Sequence, residues 1–227
     1  MNEIVQYCGH RQRLKDRFSK SQDGDLPDYE ILELLLCYAN PRKDMKPLAK
    51  KLISTYGSIS SIISLDFNTL INIEGIGSSM ALLLKLVREV TIRSTQAELN
   101  NKPVISSWNA LIEYLRSSMG HSKVEMFRVL YLNKMNMIIE DNLVRRGTID
   151  HVNIYPREVL KQALFIDASA VILVHNHPSG KAKPSTNDIE MTQLISSALK
   201  PINVVVHDHV IITQKEYFSF KSHGMIN

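Results

Sequence analysis

Two histidines separated by one residue directly follow an apolar run, and this arrangement constrains the fold more than any other feature of the chain. Ala170 to Val174 is continuous, rich in β-branched residues and followed by Pro-Ser-Gly, which predicts a short buried strand. Because side chains alternate along a strand, we expect His175 and His177 on one face, roughly 6.5–7 Å apart at their Cα atoms. Pro178 favours extended backbone at His177 and keeps the second imidazole in register. The two rings can therefore converge on one ion.

A hydroxyl and a carboxylate follow the histidines at the start of a predicted helix. Ser185 opens this helix, which runs to about Leu199, and Asp188 lies in its first turn, where it can lean back over the end of the strand. Two neutral imidazoles and one carboxylate suit Zn²⁺ and leave a fourth position for water, as in a catalytic site. Ser185 and Asp188 also form an acceptable capping box that needs no metal, and a His-X-His pair can arise by chance. The joint pattern is more specific than its parts.

This joint pattern resembles the metal motif of the JAMM (MPN+/JAB) metalloproteases: His-X-His, seven residues, Ser, two residues, Asp. The run His-Asn-His-Pro-Ser-Gly followed by Pro-Ser-X-X-Asp is similar to the RadC branch of that superfamily. Further matching segments extend the resemblance over nearly the whole chain: Gly9 to Leu14, Leu48 to Gly57, Arg146 to Thr148, Tyr155 to Leu160 and Asp208 to Ile212. The resemblance implies an α/β JAB/MPN domain of the cytidine-deaminase-like type, with His175, His177 and Asp188 binding one zinc per chain.

The resemblance also requires a glutamate upstream of the metal motif, and Glu125 matches that place. It directly precedes an alternating pattern that predicts a strand on which a base can be held rigidly. Glu113 instead lies in a predicted amphipathic helix, and Glu140 and Asp141 lie in a predicted hairpin, where solvated charge is the ordinary interpretation. We therefore predict that Glu125 is the general base. The family implies, and the spacing only permits, that Ser185 donates to a developing oxyanion.

Composition narrows the remaining classes of protein. With 227 residues and 44% hydrophobic content, one large or two small domains are expected. The chain has no run of about eighteen apolar residues that could span a membrane, and no secretory signal is visible at its start. Cys8 and Cys37 are too few and too dispersed for a disulfide framework or a cysteine zinc site, so we expect thiols in a reducing cytoplasm. His207 and His209 could complete the metal coordination, but core or supporting hydrogen bonds suit them better, because a ligand set is already filled.

The chain is expected to divide near residues 95–103, where Asn100 to Pro103 is rich in turn residues. Residues 1–100 are predicted to be all helical, with helices at about 10–20, 27–39, 45–56, 58–64, 67–72 and 78–94. Residues 101–227 combine segments of helical and of strand periodicity. The predicted helices are at 107–118, 156–165 and 185–199, and the predicted strands are at 124–132, 136–147, 170–175, 203–207 and 209–213. The predicted fold class is therefore α+β, with a helical N-terminal domain and a C-terminal α/β domain.

Residues 67–94 resemble a helix-hairpin-helix whose turn is Gly75-Ile76-Gly77. Glycines allow the tight turn, and the exposed amides together with the next helix N-terminus can hold a phosphate oxygen of DNA. Lys85 is a nearby cation that supports DNA binding, whereas Glu74 opposes it, and a Gly-X-Gly turn is often only a packing element. Charge does not decide the question. Residues 1–100 hold thirteen Lys+Arg against twelve Asp+Glu, and residues 101–227 hold fourteen against eleven.

Two functions from different classes follow. The first is a zinc hydrolase that cleaves an amide or isopeptide bond in a peptide or protein, with Glu125 moving a proton from water to the leaving amine. The second is a DNA-associated accessory protein in repair or recombination whose zinc site is not catalytic. Glu125 favours the hydrolase, because a structural zinc site is normally closed by four protein ligands and needs no adjacent base. The identity of the substrate and the oligomeric state are not fixed by the sequence.

Overall fold

The computed structural model describes residues 2–22, 25–146 and 155–226. The chain divides into two compact units, one up to Val90 and one from Thr91, and the division falls inside α6 (Ser78–Ala97). The first unit is helical and the second contains a five-stranded sheet with helices, so the predicted α+β class is confirmed. Gly147 and Thr148, which carry part of the family resemblance, lie outside the described residues, as does the side chain of Cys8.

The N-terminal unit is built from helices that close on one apolar core. Its helices before α6 are α1 (Asn2–Lys20), α2 (Asp28–Ala39), α3 (Lys46–Tyr56), α4 (Ile59–Ile63) and α5 (Phe67–Ile71). The two short helices begin at side-chain caps: Ser58 accepts from the Ser61 N–H, and Asp66 accepts from the Thr69 N–H. Leu32, Leu36, Leu52, Leu70 and Leu84 are at most 1% exposed in the core. α1 begins earlier than the predicted residue 10.

The C-terminal unit contains a mixed sheet in the strand order β2-β1-β3-β4-β5. Its strands are β1 (Met126–Leu132), β2 (Ile138–Arg146), β3 (Ala170–Asn176), β4 (Val205–Ile212) and β5 (Tyr217–Ser219), and its helices are α7 (Trp108–Leu115), α8 (Pro156–Phe165) and α9 (Thr186–Leu199). β1 is antiparallel to β2 and β3, whereas β3 is parallel to β4 and connects to it through α9. Such a parallel pair needs a crossover, which the helix provides.

Each face of the sheet packs against different helices. Ile172 and Val174 of β3 lie in the core that contains Leu111 and Leu115 of α7. Val171 and Leu173 lie in the opposite core, which contains Val159 of α8 and Ile195 of α9. The strand is therefore buried on both faces, as its continuous apolar run predicts. Odd-numbered positions of β3 face α8 and α9, and even-numbered positions face α7.

The predicted helix 107–118 is only partly regular. The structure has a 3₁₀ turn at Val104–Ser107, then α7, then a π-helical turn at Arg116–Gly120. The widened turn brings Gly120 against the end of β4, where a Cβ atom would lie 3.0 Å from the Thr213 carbonyl oxygen. The packing of this turn against the sheet therefore accommodates no side chain at position 120 without movement. In the part of the chain that the structure describes, no helix is long and apolar enough to cross a membrane.

The two strands predicted at 203–207 and 209–213 are one strand, β4, so that prediction is wrong. The register between β3 and β4 shifts at His207: Val171 pairs with Val206, but Ile172 pairs with Asp208. The polar run His207-Asp208-His209 resembles a break between strands, yet a bulge accommodates it within one strand. Since alternation restarts after the extra residue, His209 lies on the face covered by α8 and α9. β5 was not predicted.

Candidate metal centre

Three side chains meet at the end of β3. His175 Nε2 lies 2.9 Å from His177 Nε2 and 3.1 Å from Asp188 Oδ1, and His177 Nε2 lies 3.5 Å from Asp188 Oδ2. A tetrahedral zinc with bonds of about 2.0–2.1 Å separates its donor atoms by roughly 3.3 Å. The two distances from His175 Nε2, 2.9 and 3.1 Å, lie within about 0.4 Å of this value, so the residues fit a zinc ion after a small adjustment. The structure brings together the three side chains that the sequence motif singled out.

The alternation of β3 explains why these side chains converge. His175 continues the row of Val171 and Leu173 on the sheet face that α8 and α9 cover. His177 follows the strand but stays aligned with it, because its N–H donates to the Ile212 carbonyl of β4. α9 begins on the same side, with Asp188 in its first turn. The predicted strand and helix therefore place their polar residues around one point.

Ser185 and Asp188 also form the capping box that their spacing allows. The Ser185 hydroxyl and the Ser185 N–H both donate to Asp188 Oδ2 at 2.7 Å, and the Asp188 N–H donates to Ser185 Oγ at 3.2 Å. Asp188 Oδ1 is left facing His175. The capping role and the metal role are thus compatible, because the cap fixes the carboxylate through Oδ2 and directs Oδ1 at His175. The hydroxyl proton of Ser185 is therefore engaged in the hydrogen bond to Asp188.

The surroundings keep Asp188 ionised. Burial alone would raise the pKa of this carboxyl group, but the interaction with the adjacent His175 and His177 side chains outweighs it and holds the pKa far below its usual range. The interaction with Asp188 in turn raises the pKa of His177, against the opposing effect of burial. Side-chain exposures of 2% for His175 and 14% for Asp188 show how little water reaches the pair. A cation placed here would meet a charged carboxylate in a poorly solvated site.

Glu125 lies beside the histidines. Phe127 of β1 pairs with His175 of β3 in an antiparallel register, which carries Glu125 to the level of His177. A carboxylate oxygen of Glu125 and one ring nitrogen from each histidine all lie within 4.8 Å of one another. The half-buried glutamate is therefore in reach of the same point as the two histidines.

Asn176, to which the sequence analysis gave no role, holds the segment that carries Glu125. Its side chain is completely buried on the α7 side of the sheet. Asn176 Oδ1 accepts from the Met126 N–H at 2.8 Å, and Nδ2 donates to the carbonyls of Val124 at 3.2 Å and Ser122 at 3.3 Å. These backbone groups lie on both sides of Glu125. A polar residue at an apolar face position of a buried strand is the signal that could have found it.

The other acidic residues ahead of the metal motif are engaged elsewhere. Glu113 is exposed and pairs with Arg116. The expectation of a solvated charge is wrong for Asp141, whose side chain is 11% exposed. Both of its carboxylate oxygens accept from Arg128 at 2.8 Å, and the Tyr114 hydroxyl donates to it as well. Glu140 accepts from the side-chain amide of Gln162. Asp141 and Glu140 therefore serve the packing of the sheet.

His209 lies behind His175. The ring is fully buried between Phe127 and Phe220, and burial holds its pKa well below the usual value. Its Nε2 is hydrogen-bonded to His175 Nδ1 at 2.8 Å. This nitrogen lies on the side of the His175 ring away from His177 and Asp188. Both ring nitrogens of His209 are thus hydrogen-bonded to other side chains, His175 and Thr192.

The predicted hairpin turn, Gly75 to Gly77, lies between α5 and α6, and Lys85 lies in α6. Gly75 has φ +92°, which favours glycine. Ile76 is 6% exposed in the core of the N-terminal unit. Gly77 and Lys85 are exposed, and Glu74 pairs with Lys51 at 3.4 Å. The turn therefore combines a packing residue with exposed positions.

Comparison with known proteins identifies the family of this chain. A family model described as the RadC-like JAB domain matches residues 105–225. A UPF0758 protein of Ruegeria pomeroyi is 43% identical over 217 residues, which cover 96% of this chain and 97% of the relative. The first match contains Glu125, His175, His177 and Asp188, and the second extends through both units. This chain belongs to the RadC family.

Proposed function

We propose that this protein is a zinc-dependent hydrolase that cleaves a peptide or isopeptide bond. The observation that carries the proposal is the arrangement of His175, His177 and Asp188 as three mutually close donors with Glu125 beside them. Three protein ligands and a neighbouring carboxylate are typical of catalytic zinc, whereas structural zinc normally has four protein ligands. Zinc at such a site polarises a carbonyl and brings the pKa of water towards 7.

Glu125 takes the proton of the attacking water and delivers it to the leaving amine. The hydrogen bonds between Asn176 and the backbone on both sides of Glu125 support this role, because they fix the backbone that carries the base. Ser185 is the donor that the family resemblance assigns to the oxyanion. Its hydroxyl points at Asp188, so that role requires the hydroxyl to rotate, while the Ser185 N–H keeps its bond to the carboxylate.

The test compares two glutamate variants on defined probes. The zinc-loaded protein, Glu125→Gln and Glu113→Gln are each incubated with a mixture of short peptides and lysine-branched isopeptides. New amino termini and freed lysine amines are then quantified by mass spectrometry. Glu125→Gln keeps the shape of the side chain but removes its basicity, so its rate should fall by about 10²–10⁴ with zinc retained. Glu113→Gln alters only an exposed ion pair and should cleave at the wild-type rate.

Equal cleavage by Glu125→Gln and the wild-type protein would contradict the assignment of the base. Loss of zinc from Glu125→Gln would make Glu125 a ligand instead. Absence of cleavage by a fully zinc-loaded wild-type protein would favour a non-catalytic site.

DNA binding by the N-terminal unit is a second proposal. Its support is the exposed Gly77 at the start of α6 together with the exposed Lys85, since a helix N-terminus and a nearby cation suit a phosphate. The full-length protein is expected to bind duplex DNA weakly, without sequence preference and with strong salt dependence. Absence of a mobility shift at low salt would leave the hairpin as a packing element.

A further inference from the structure

Two buried residues continue the hydrogen bonding behind His175. His209 Nε2 lies 2.8 Å from His175 Nδ1, and His209 Nδ1 lies 2.6 Å from the hydroxyl oxygen of Thr192 in α9. The Thr192 hydroxyl oxygen lies 2.5 Å from the Asp188 carbonyl oxygen. His209 is 0% exposed and Thr192 4%, so both are shielded from solvent. The four groups form a continuous line from a carbonyl to a proposed zinc ligand.

The direction of the first hydrogen bond in this line is fixed. Two oxygens approach to 2.5 Å only when a hydrogen lies between them. The Asp188 carbonyl carries no hydrogen, so the Thr192 hydroxyl donates. That hydroxyl has one proton, and towards His209 it therefore presents only a lone pair. His209 Nδ1 must carry a proton and donate it to Thr192.

The remaining directions follow from the single ring proton of a neutral imidazole. With its proton on Nδ1, His209 presents a lone pair at Nε2, so His175 Nδ1 is the donor in the bond between the two rings. His175 Nε2 then has a lone pair, and this atom faces Asp188 and His177. In the reverse orientation His175 would present an N–H there, which cannot bind a metal.

We propose that Thr192 and His209 form a relay that fixes His175 in the tautomer required for metal binding, and that both are positioning residues. The inference rests on the proposed zinc site. His177 has a simpler device for the same purpose, because its Nδ1 is 2.9 Å from the Lys181 carbonyl and must donate to it. The relay begins at the carbonyl of Asp188, whose carboxylate is a proposed ligand. Asp188 thus supplies one proposed ligand atom through its carboxylate, and through its carbonyl it sets the tautomer of a second proposed ligand, His175.

The first test measures zinc affinity by competition with a chelator. Thr192→Val removes the hydroxyl at nearly constant volume and leaves the His209 Nδ1–H without an acceptor whenever His175 binds zinc. Zinc affinity should fall by about 10–100-fold, the usual effect of losing a group that orients a ligand. Thr192→Ser restores the hydroxyl and should remain within about threefold of wild type. Thr213→Val removes another buried hydroxyl, one bonded to the Glu216 backbone, and should leave zinc affinity unchanged.

The second test needs no affinity measurement. Long-range ¹H–¹⁵N correlation spectra of the metal-free protein report which nitrogen of each histidine is protonated. His209 should carry its proton on Nδ1 in wild type and Thr192→Ser, and on Nε2 in Thr192→Val. Wild-type His209 protonated on Nε2 would overturn the relay even if a variant failed to fold. Equal zinc affinity of Thr192→Val and wild type would also overturn it. A wild-type protein that binds no zinc would overturn the proposed function instead, and the tautomer result would still decide the hydrogen-bond directions.

Discussion

The two units of this chain use their motifs in different ways. In the C-terminal unit, buried polar side chains from β3, β4 and α9 are bonded to one another around a single point. In the N-terminal unit, Ile76 of the hairpin contributes to the core, while Gly77 and Lys85 contact solvent. Packing explains the burial of Ile76, but it does not explain two imidazoles and a carboxylate whose nitrogen and oxygen atoms converge. This convergence is what distinguishes the candidate metal centre from the hairpin.

The N-terminal unit also buries polar groups. Glu33 of α2 is 1% exposed, and one of its oxygens lies 2.8 Å from His10 Nε2 of α1. This pair joins two helices, and no third histidine, cysteine or carboxylate lies near it in the part of the chain described. His10 is therefore a suitable comparison for the histidines of the metal centre.

The largest expected effect is on zinc content. His177→Ala removes one of three donors and should reduce zinc from about one ion per chain to a level near zero after dialysis, because the site then keeps only two protein ligands. His10→Ala should leave the content unchanged. Elemental analysis of both purified variants measures this. A zinc content of about one ion per chain in His177→Ala would show that the histidines of the two units do not differ in metal binding.

An intermediate effect is expected on stability. Asn176→Ala removes three hydrogen bonds to the backbone around Glu125, which should lower the free energy of unfolding by about 2–4 kcal/mol. Asn109→Ala, at an exposed position of α7, should change it by less than about 0.5 kcal/mol. Urea unfolding of the metal-free protein, followed by the fluorescence of Trp108 in the same unit, checks both values. Similar unfolding midpoints for the two variants would show that the hydrogen bonds of Asn176 do not stabilise the backbone around Glu125.

The smallest effect concerns DNA. Lys85→Glu should weaken binding of the full-length protein to duplex DNA by about three- to tenfold at low salt and reduce the salt slope by about one. Lys102→Glu makes the same charge change at an exposed position beyond the hairpin and α6 and should weaken binding less. Fluorescence anisotropy over a series of salt concentrations distinguishes the two variants. An equal loss in both would assign the binding to net charge alone.

The sequence predicts the parts of the site that depend on local periodicity. His175 and His177 follow from the alternation of a strand, Asp188 from the first turn of a helix, and the position of Glu125 from the start of β1. The orientation of His209 depends instead on the bulge at His207, which reverses the alternation within β4. The ion pair of Asp141 with Arg128 depends on strand pairing, and local patterns do not contain that information. The same holds for Asn176, whose partners lie about fifty residues away.

The capping box at Ser185 has a further consequence for the metal-loaded chain. It fixes Asp188 to the start of α9, while His175 and His177 belong to the end of β3, and residues 178–184 connect the two. Coordination at all three side chains would therefore connect the end of β3 to the start of α9 in the folded chain. An ion that binds only the folded chain stabilises it by mass action. Removal of the ion by a chelator would thus destabilise the start of α9 as well as abolish the proposed activity. The ion would therefore also stabilise the fold.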